Sequence, residues 1–217
     1  MKIAIIGLGF VGNALFAGLK NNVNVLRIDP KLGTKISELA SFNPEIVFVC
    51  VPTPMNNQGE QDISILKNVI EEIKQIKSDA LIVLKSTVLP NYIFNISSSI
   101  KKFAFNPEFL REDFAEQDFI NSKLIIFGCE KKHLPILKNF YSNHTNCINK
   151  DYVHTDAVSA SFIKYTVNCF LATKVTFFNQ IYEAFQKSGS KDSWKSFVEA
   201  ISRDQRIGSS HMMVPGP

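Results

Sequence analysis

Gly7-Leu8-Gly9-Phe10-Val11-Gly12 places three glycines at the spacing GxGxxG. In that arrangement the first glycine makes a tight turn, the second lets backbone approach a diphosphate, and the third lets a helix pack closely on a strand. A diphosphate would sit over the backbone of Gly7, Gly9, Phe10, Val11 and Gly12, where the unpaired N–H groups and dipole of a helix N-terminus favour an anion. Asp29 follows 22 residues after Gly7. A carboxylate there accepts hydrogen bonds from ribose hydroxyls and repels a 2′-phosphate, which points to NAD over NADP. Lys31 is the nearby residue that argues the other way. Thr53 in Val51-Pro52-Thr53-Pro54 and Thr87 in Lys85-Ser86-Thr87 follow later apolar runs. Each suits a cofactor contact, and equally a hydroxyl that caps its own loop. Lys164 and Asn168 stand four residues apart, so on a helix both project from one face.

The elements that must position these groups are legible from periodicity. Lys2–Ile6, Val23–Ile28, Ile46–Val51 and Leu81–Leu84 read as strands, with Phe103–Phe105 and Leu124–Phe127 as further candidates. Continuous apolar runs of this kind belong to strands covered on both faces. Phe10–Lys20 carries apolar residues at helical spacing. Asp62 is a suitable N-cap for a helix in which Ile63, Leu66, Val69, Ile70 and Ile73 recur with a 3.6 period. Pro90 opens another helix. Strands alternating with helices predict an α/β fold, a Rossmann-like doubly wound parallel sheet. The texture then changes: Asp156 through Lys187 reads as one long helix, followed by a shorter one over Asp192–Ser202. We therefore divide the chain into a dinucleotide-binding domain, 1–154, and a helical region, 155–217, whose long helix needs a partner surface. A second copy of the chain is the partner we expect.

Composition narrows the function classes. The 217 residues are 45% hydrophobic and 20% charged, with a net charge of +4. The lysines are scattered, so no nucleic-acid footprint is visible. No apolar run reaches the roughly 18 residues that span a bilayer. Cys50, Cys129, Cys147 and Cys169 form no CxxC and no metal-spaced cluster, so we expect no metal, free thiols and a cytoplasmic setting. All four read as small packed residues.

Four stretches together resemble the UDP-glucose/GDP-mannose dehydrogenase family. They are Lys85-Ser86-Thr87-Val88-Leu89-Pro90, Asn106-Pro107-Glu108-Phe109-Leu110-Arg111-Glu112, the run from Lys164 to Lys174, and Asp204-Gln205-Arg206-Ile207-Gly208. They occur in the family's order, and with the glycine turn they cover nearly the whole chain. The resemblance implies oxidation of the C6 alcohol of a nucleotide sugar, UDP-glucose or a similar one, to the acid with two NAD. The alcohol first loses a hydride and a proton. A cysteine thiolate then traps the aldehyde, and a second hydride transfer gives a thioester that water opens.

Carried over by position, Thr87 and Glu108 are implied as the water-holding and acid/base pair. Lys164 and Asn168 are implied to stabilise oxyanions and to position substrate. Glu112 would touch the cofactor, and the segment Glu108, Phe109, Leu110, Arg111 and Glu112 would line the sugar site. Arg111 could instead pair on the surface with Glu112 or Asp113.

The chain departs from the family in two places. The family's nucleophilic cysteine lies in a glycine-rich segment after the RIG motif, and the sequence ends at Pro217 before it. Cys169 points away from the Lys164/Asn168 face and is no substitute. The stretch from Asp29 to Pro44 is also shorter than usual, with Thr34 where many members carry a lysine that contacts the cofactor. The expectation is a fragment or short form that binds NAD but forms no sugar acid by itself. A non-catalytic NAD-binding dimeric module is the alternative. A β-hydroxyacid dehydrogenase relative ranks third, because glycines precede that family's lysine whereas Ala160-Ser161-Phe162-Ile163 stand here.

Overall fold

The computed structural model describes residues 1–76 and 78–214. In chain order these form β1 (Lys2–Ile6), α1 (Phe10–Ala17), β2 (Asn24–Ile28), α2 (Leu39–Phe42), β3 (Ile46–Val49), α3 (Ser64–Ile76), β4 (Leu81–Leu84), α4 (Pro90–Ser99) and β5 (Phe103–Phe105). There follow α5 (Ala115–Ile120), β6 (Ile126–Cys129), α6 (Leu134–Asn143), β7 (Val153–Thr155), α7 (Ala157–Lys187) and α8 (Trp194–Ile201). The chain divides into two compact units, residues 1–164 and 165–217. No helix among the described residues is long and apolar enough to cross a membrane.

In the first unit seven strands form one sheet in the order β2-β1-β3-β4-β5-β6-β7. Alternation along β1 shows how both faces are covered. Ile3 and Ile5 pack with Ala14 and Leu15 of α1, Phe119 of α5 and Phe140 of α6. Ala4 and Ile6 face the other way, in a layer with Leu66 and Ile70 of α3 and Ile93 of α4. This is the doubly wound architecture the sequence predicts. It has one exception: β6 runs antiparallel to β5, and β7, which the sequence does not announce, runs parallel to β6. α1 also stops three residues short of expectation. Gly18 caps it, and Leu19 then bridges to Thr145, which draws the chain out of the helix.

The usual dinucleotide-binding order, 3-2-1-4-5-6, places a strand outside β2. Here β2 is itself the edge. Residues 30–42 hold only two turns of 3₁₀ helix, Pro30–Leu32 and Ile36–Glu38, and the single-turn α2. The short Asp29–Pro44 stretch is thus a missing strand rather than a trimmed loop.

The second unit is stitched by aromatic rings. Trp194 lies flat on Phe197 at 5.0 Å and meets Tyr182 edge-on at 5.1 Å. Its indole N–H donates to the carbonyl of Met212 at 3.0 Å, so the one buried polar atom of that ring is paired. Lys174 donates to the carbonyl of Ile207 at 2.7 Å and holds the RIG segment.

A cavity at the strand ends and the family it belongs to

The C-terminal ends of β1–β5 open on a cavity of about 920 Å³, within the range of ligand sites. Open parallel sheets bind ligands at this edge. Gly7, at φ +87°, is in a conformation that side chains rarely adopt, and a Cβ there would meet the Cys50 carbonyl oxygen at 2.8 Å. A Cβ on Gly12 would meet the Gly7 carbonyl oxygen at 2.0 Å. Around Gly9 the same construction meets nothing within 4 Å. So Gly7 and Gly12 are required by the fold, while Gly9 leaves space open at the start of α1. That is the shape a diphosphate cradle needs.

Asp29 faces this turn. One carboxylate oxygen accepts the Leu8 N–H at 2.7 Å and the other accepts the Lys31 N–H at 2.9 Å. These two bonds, that from Leu8 first, hold its pKa below the usual carboxylate value. Thr34 locks the backbone beneath it, accepting from the Asp29 N–H at 2.9 Å and donating to its carbonyl at 3.3 Å.

Glycines 7 and 9, Phe10, Val11, Asp29, Thr53, Thr87 and Glu108 all line the one cavity. Gly12 sits behind the turn. Glu112 is exposed and lies outside the cavity lining. Phe109 and Leu110 are half-buried beside Glu108. Arg111 is an exposed residue that grips Asp118 through two bonds, at 2.9 and 2.7 Å, and lies over the Phe114 ring. Its ion-pair partner is therefore Asp118, not Glu112 or Asp113.

Glu108 and Lys164 form a buried pair. The Lys164 ammonium is 3.0 Å from the Glu108 carboxylate and 2.5 Å from its backbone carbonyl, and their side chains are 5% and 9% exposed. The second carboxylate oxygen accepts the Leu110 N–H at 2.6 Å. Asn168 lies on α7 in the second unit and is exposed. Cys169 is exposed as well, a correction to its reading as packed, while Cys50, Cys129 and Cys147 are buried as expected.

Sequence reasoning missed Lys85. It is 2% exposed, and its ammonium donates to the Asn106 side-chain oxygen at 2.9 Å, the Asn106 carbonyl at 3.2 Å and the Tyr141 hydroxyl at 3.4 Å. Burial lowers its pKa, with Cys50 and Glu108 pulling the other way. A wall of Ile36, Ile65 and Val69, with Glu72 beside it, also lines the cavity and carries no motif.

Comparison with known proteins decides the family. Residues 32–145 match the "UDP-glucose/GDP-mannose dehydrogenase family, NAD binding domain", and residues 158–217 match its central domain. The chain belongs to the UDP-glucose/GDP-mannose dehydrogenase family. Its cofactor is NAD, and the open Gly9 turn with Asp29 turned toward it fits that molecule.

The UDP-glucose 6-dehydrogenase of Rickettsia bellii is 34% identical over 253 residues, covering 98% of this chain and 58% of the relative. That alignment is longer than the chain itself, so the relative carries segments this family member lacks. The chain thus spans little more than half the length of that relative. A UDP-glucose dehydrogenase from Pyrobaculum islandicum superposes with a TM-score of 0.78 at 22% identity, covering 97% of this chain and 58% of that one. A 3-hydroxyisobutyrate dehydrogenase from Mycobacterium tuberculosis superposes at 0.72 and 16% identity, covering 100% and 76%. These likenesses show a shared fold, and the two domain matches place the chain in the UDP-glucose/GDP-mannose family.

Two substitutions separate fold from cofactor contact. Gly12→Ala should destabilise the chain by about 2–3 kcal/mol in thermal or denaturant unfolding, because backbone must move to admit the methyl. Gly9→Ala should change stability by no more than about 0.5 kcal/mol, yet weaken NAD tenfold or more in calorimetry. Equal stability of the two variants would refute this assignment.

Asp29 supplies a pH signature. Its pKa is depressed in the folded state, so its stabilising bonds are complete above the unfolded value of about 3.9 and vanish as pH falls through the folded value. Unfolding free energies of wild type and Asp29→Asn should therefore differ at neutral pH and converge below about pH 4. A gap that stays constant through that range would contradict the bonding described.

Proposed function

We propose that this chain carries the NAD-binding and substrate-positioning part of an NAD-dependent nucleotide-sugar 6-dehydrogenase, with UDP-glucose or a similar sugar nucleotide as substrate. One observation carries the reading. The cavity lined by the glycine turn and Asp29 is also lined by Glu108, whose carboxylate is paired with Lys164. Cofactor seat and proton-handling group thus share one space.

In this reading the backbone of Gly7, Gly9, Phe10, Val11 and Gly12 holds the diphosphate, and Asp29 takes the adenosine ribose. Bound NAD supplies the hydride acceptor. Thr53 and Thr87 border the cofactor, with Glu112 reaching it from the loop after β5. Glu108 receives the proton of the C6 alcohol, directly or through a water held by Thr87. Lys164, whose side-chain nitrogen is held against Glu108, and Asn168, four residues further along the same helix, are the groups this reading assigns to the negative charge that develops on oxygen. The Phe109–Glu112 segment lines the sugar. The reading places the protein in the cytoplasm, with its cysteines as free thiols.

Nicotinamide reduction followed at 340 nm tests the chemistry with UDP-glucose, GDP-mannose and UDP-N-acetylmannosamine as alternatives. A sugar-dependent rise that Glu108→Gln reduces at least 100-fold is the expected outcome. A flat trace with all three sugars, from protein that binds NAD, would favour an NAD-binding module without catalysis.

The partner in this proposal is a second copy of the chain, joined through the long helix. Phe170 and Phe177, on the part of α7 in the second unit, are 63% and 53% exposed. Aromatic side chains in such number on one helix suit an interface better than water. Light scattering should give a mass twice that of the chain, and Phe170→Asp with Phe177→Asp should halve it. A monomeric wild type at working concentration would remove this part of the proposal.

A further inference from the structure

Thr87 lies in the connection from β4 to α4, beyond the last ladder bonds of the sheet. Its backbone is held instead by side chains from outside the segment. The Thr87 carbonyl accepts from the Thr53 hydroxyl at 2.7 Å and from the Gln61 amide nitrogen at 2.9 Å. The amide oxygen of Gln61 in turn accepts the Leu89 N–H at 2.9 Å. Leu89 is the N-cap of α4 and has no side-chain cap of its own.

A carboxamide is suited to this task because it presents a donor and an acceptor side by side. Its orientation follows from the chemistry, since the flipped amide would set oxygen against oxygen and nitrogen against nitrogen. Gln61 thus spans two positions of the connection and pairs both, much as a neighbouring strand would. It sits at the end of an exposed loop closed by a bridge between Met55 and Gln61, and Asn56 braces that loop by accepting the Gln58 and Glu60 N–H groups.

We propose that Gln61 is a positioning residue for Thr87, fixing the turn that borders the nicotinamide half of the cofactor. The proposal rests on the reading of the cavity as the NAD site. It makes a claim that reading does not: the two halves of NAD are held by separable parts of the chain. Asp29 and the glycine turn hold the ADP-ribose half without help from Gln61. The nicotinamide half depends on a turn that Gln61 keeps in place.

Calorimetric titration with NAD and with ADP-ribose tests this on the intact chain. Gln61→Met keeps the volume and removes both bonds. It should weaken NAD about tenfold, as loss of two net hydrogen bonds implies, while ADP-ribose affinity stays within about twofold. Gln61→Glu adds a readout that a merely structural role would not move. Its carboxyl, once protonated, can again donate to the Thr87 carbonyl while accepting from Leu89. That variant should bind NAD more weakly than wild type near about pH 8, where its carboxylate still accepts from Leu89 but faces the Thr87 carbonyl without a proton, and should recover part of that loss as pH falls toward about 4, each measured against wild type at the same pH.

Equal losses for both ligands in Gln61→Met would overturn the proposal, since Gln61 would then support the whole cavity. Unchanged NAD affinity in Gln61→Met, or no acid recovery in Gln61→Glu, would overturn it too. Failure of the wild type to bind ADP-ribose is a different result. That would remove the cofactor reading itself.

Discussion

At Gly12 a methyl group would stand 2.0 Å from the carbonyl oxygen of Gly7, well inside any permitted contact. That absence of a side chain lets α1 begin directly against the end of β1. The Gly7 N–H still bonds the Ile28 carbonyl at 2.9 Å, so the turn is tied to β2 as it reverses. With the helix start fixed there, its unpaired N–H groups point to the sheet edge where the cavity opens. Asp29 closes the arrangement by accepting from Leu8 in the middle of the turn. Two glycines make that turn sterically possible, and the cavity opens beside it.

Behind this seat the interior is unusually polar. Lys85 is buried with no carboxylate among its hydrogen-bond partners, and Cys50, whose thiol burial pushes up to about 12, stays protonated and does not neutralise it. Asn106 relays the contact by donating to the Ile126 carbonyl at 2.8 Å, so the ends of β4, β5 and β6 are joined through one amide. Burying a lysine among neutral partners costs desolvation free energy that its hydrogen bonds only partly return. Their value here is positional. Asn106 is two residues from Glu108, so the same network that pins the end of β5 sets where the carboxylate stands.

The sequence announced the glycine turn and the sheet, but not the polar groups buried behind them. Ile46–Val49 and Leu81–Leu84 are continuous apolar runs, and α7 matches its sequence reading to within one residue at its start. The direction of β6 was not legible, because an apolar run looks the same whichever way it lies in the sheet. β7 is three residues, Val-His-Thr, with no run to see. Lys85 was hidden because lysine is so rarely buried that burial is the last inference its type invites. Gln61 sits in a polar loop where composition carries no period. Its role depends on two backbone groups more than 25 residues away in sequence, a relation that only the folded chain displays.

The reduced connection between β2 and β3 carries a cost elsewhere. With no strand outside it among the described residues, β2 presents one side of its backbone as a template on which another extended chain could pair. Asn24 and Arg27 are exposed along it, and the Arg27 guanidinium lies 4.8 Å from the Phe16 ring, which keeps a charge at that border. A trimmed sheet has left its border strand guarded by a charged side chain where another strand would otherwise lie.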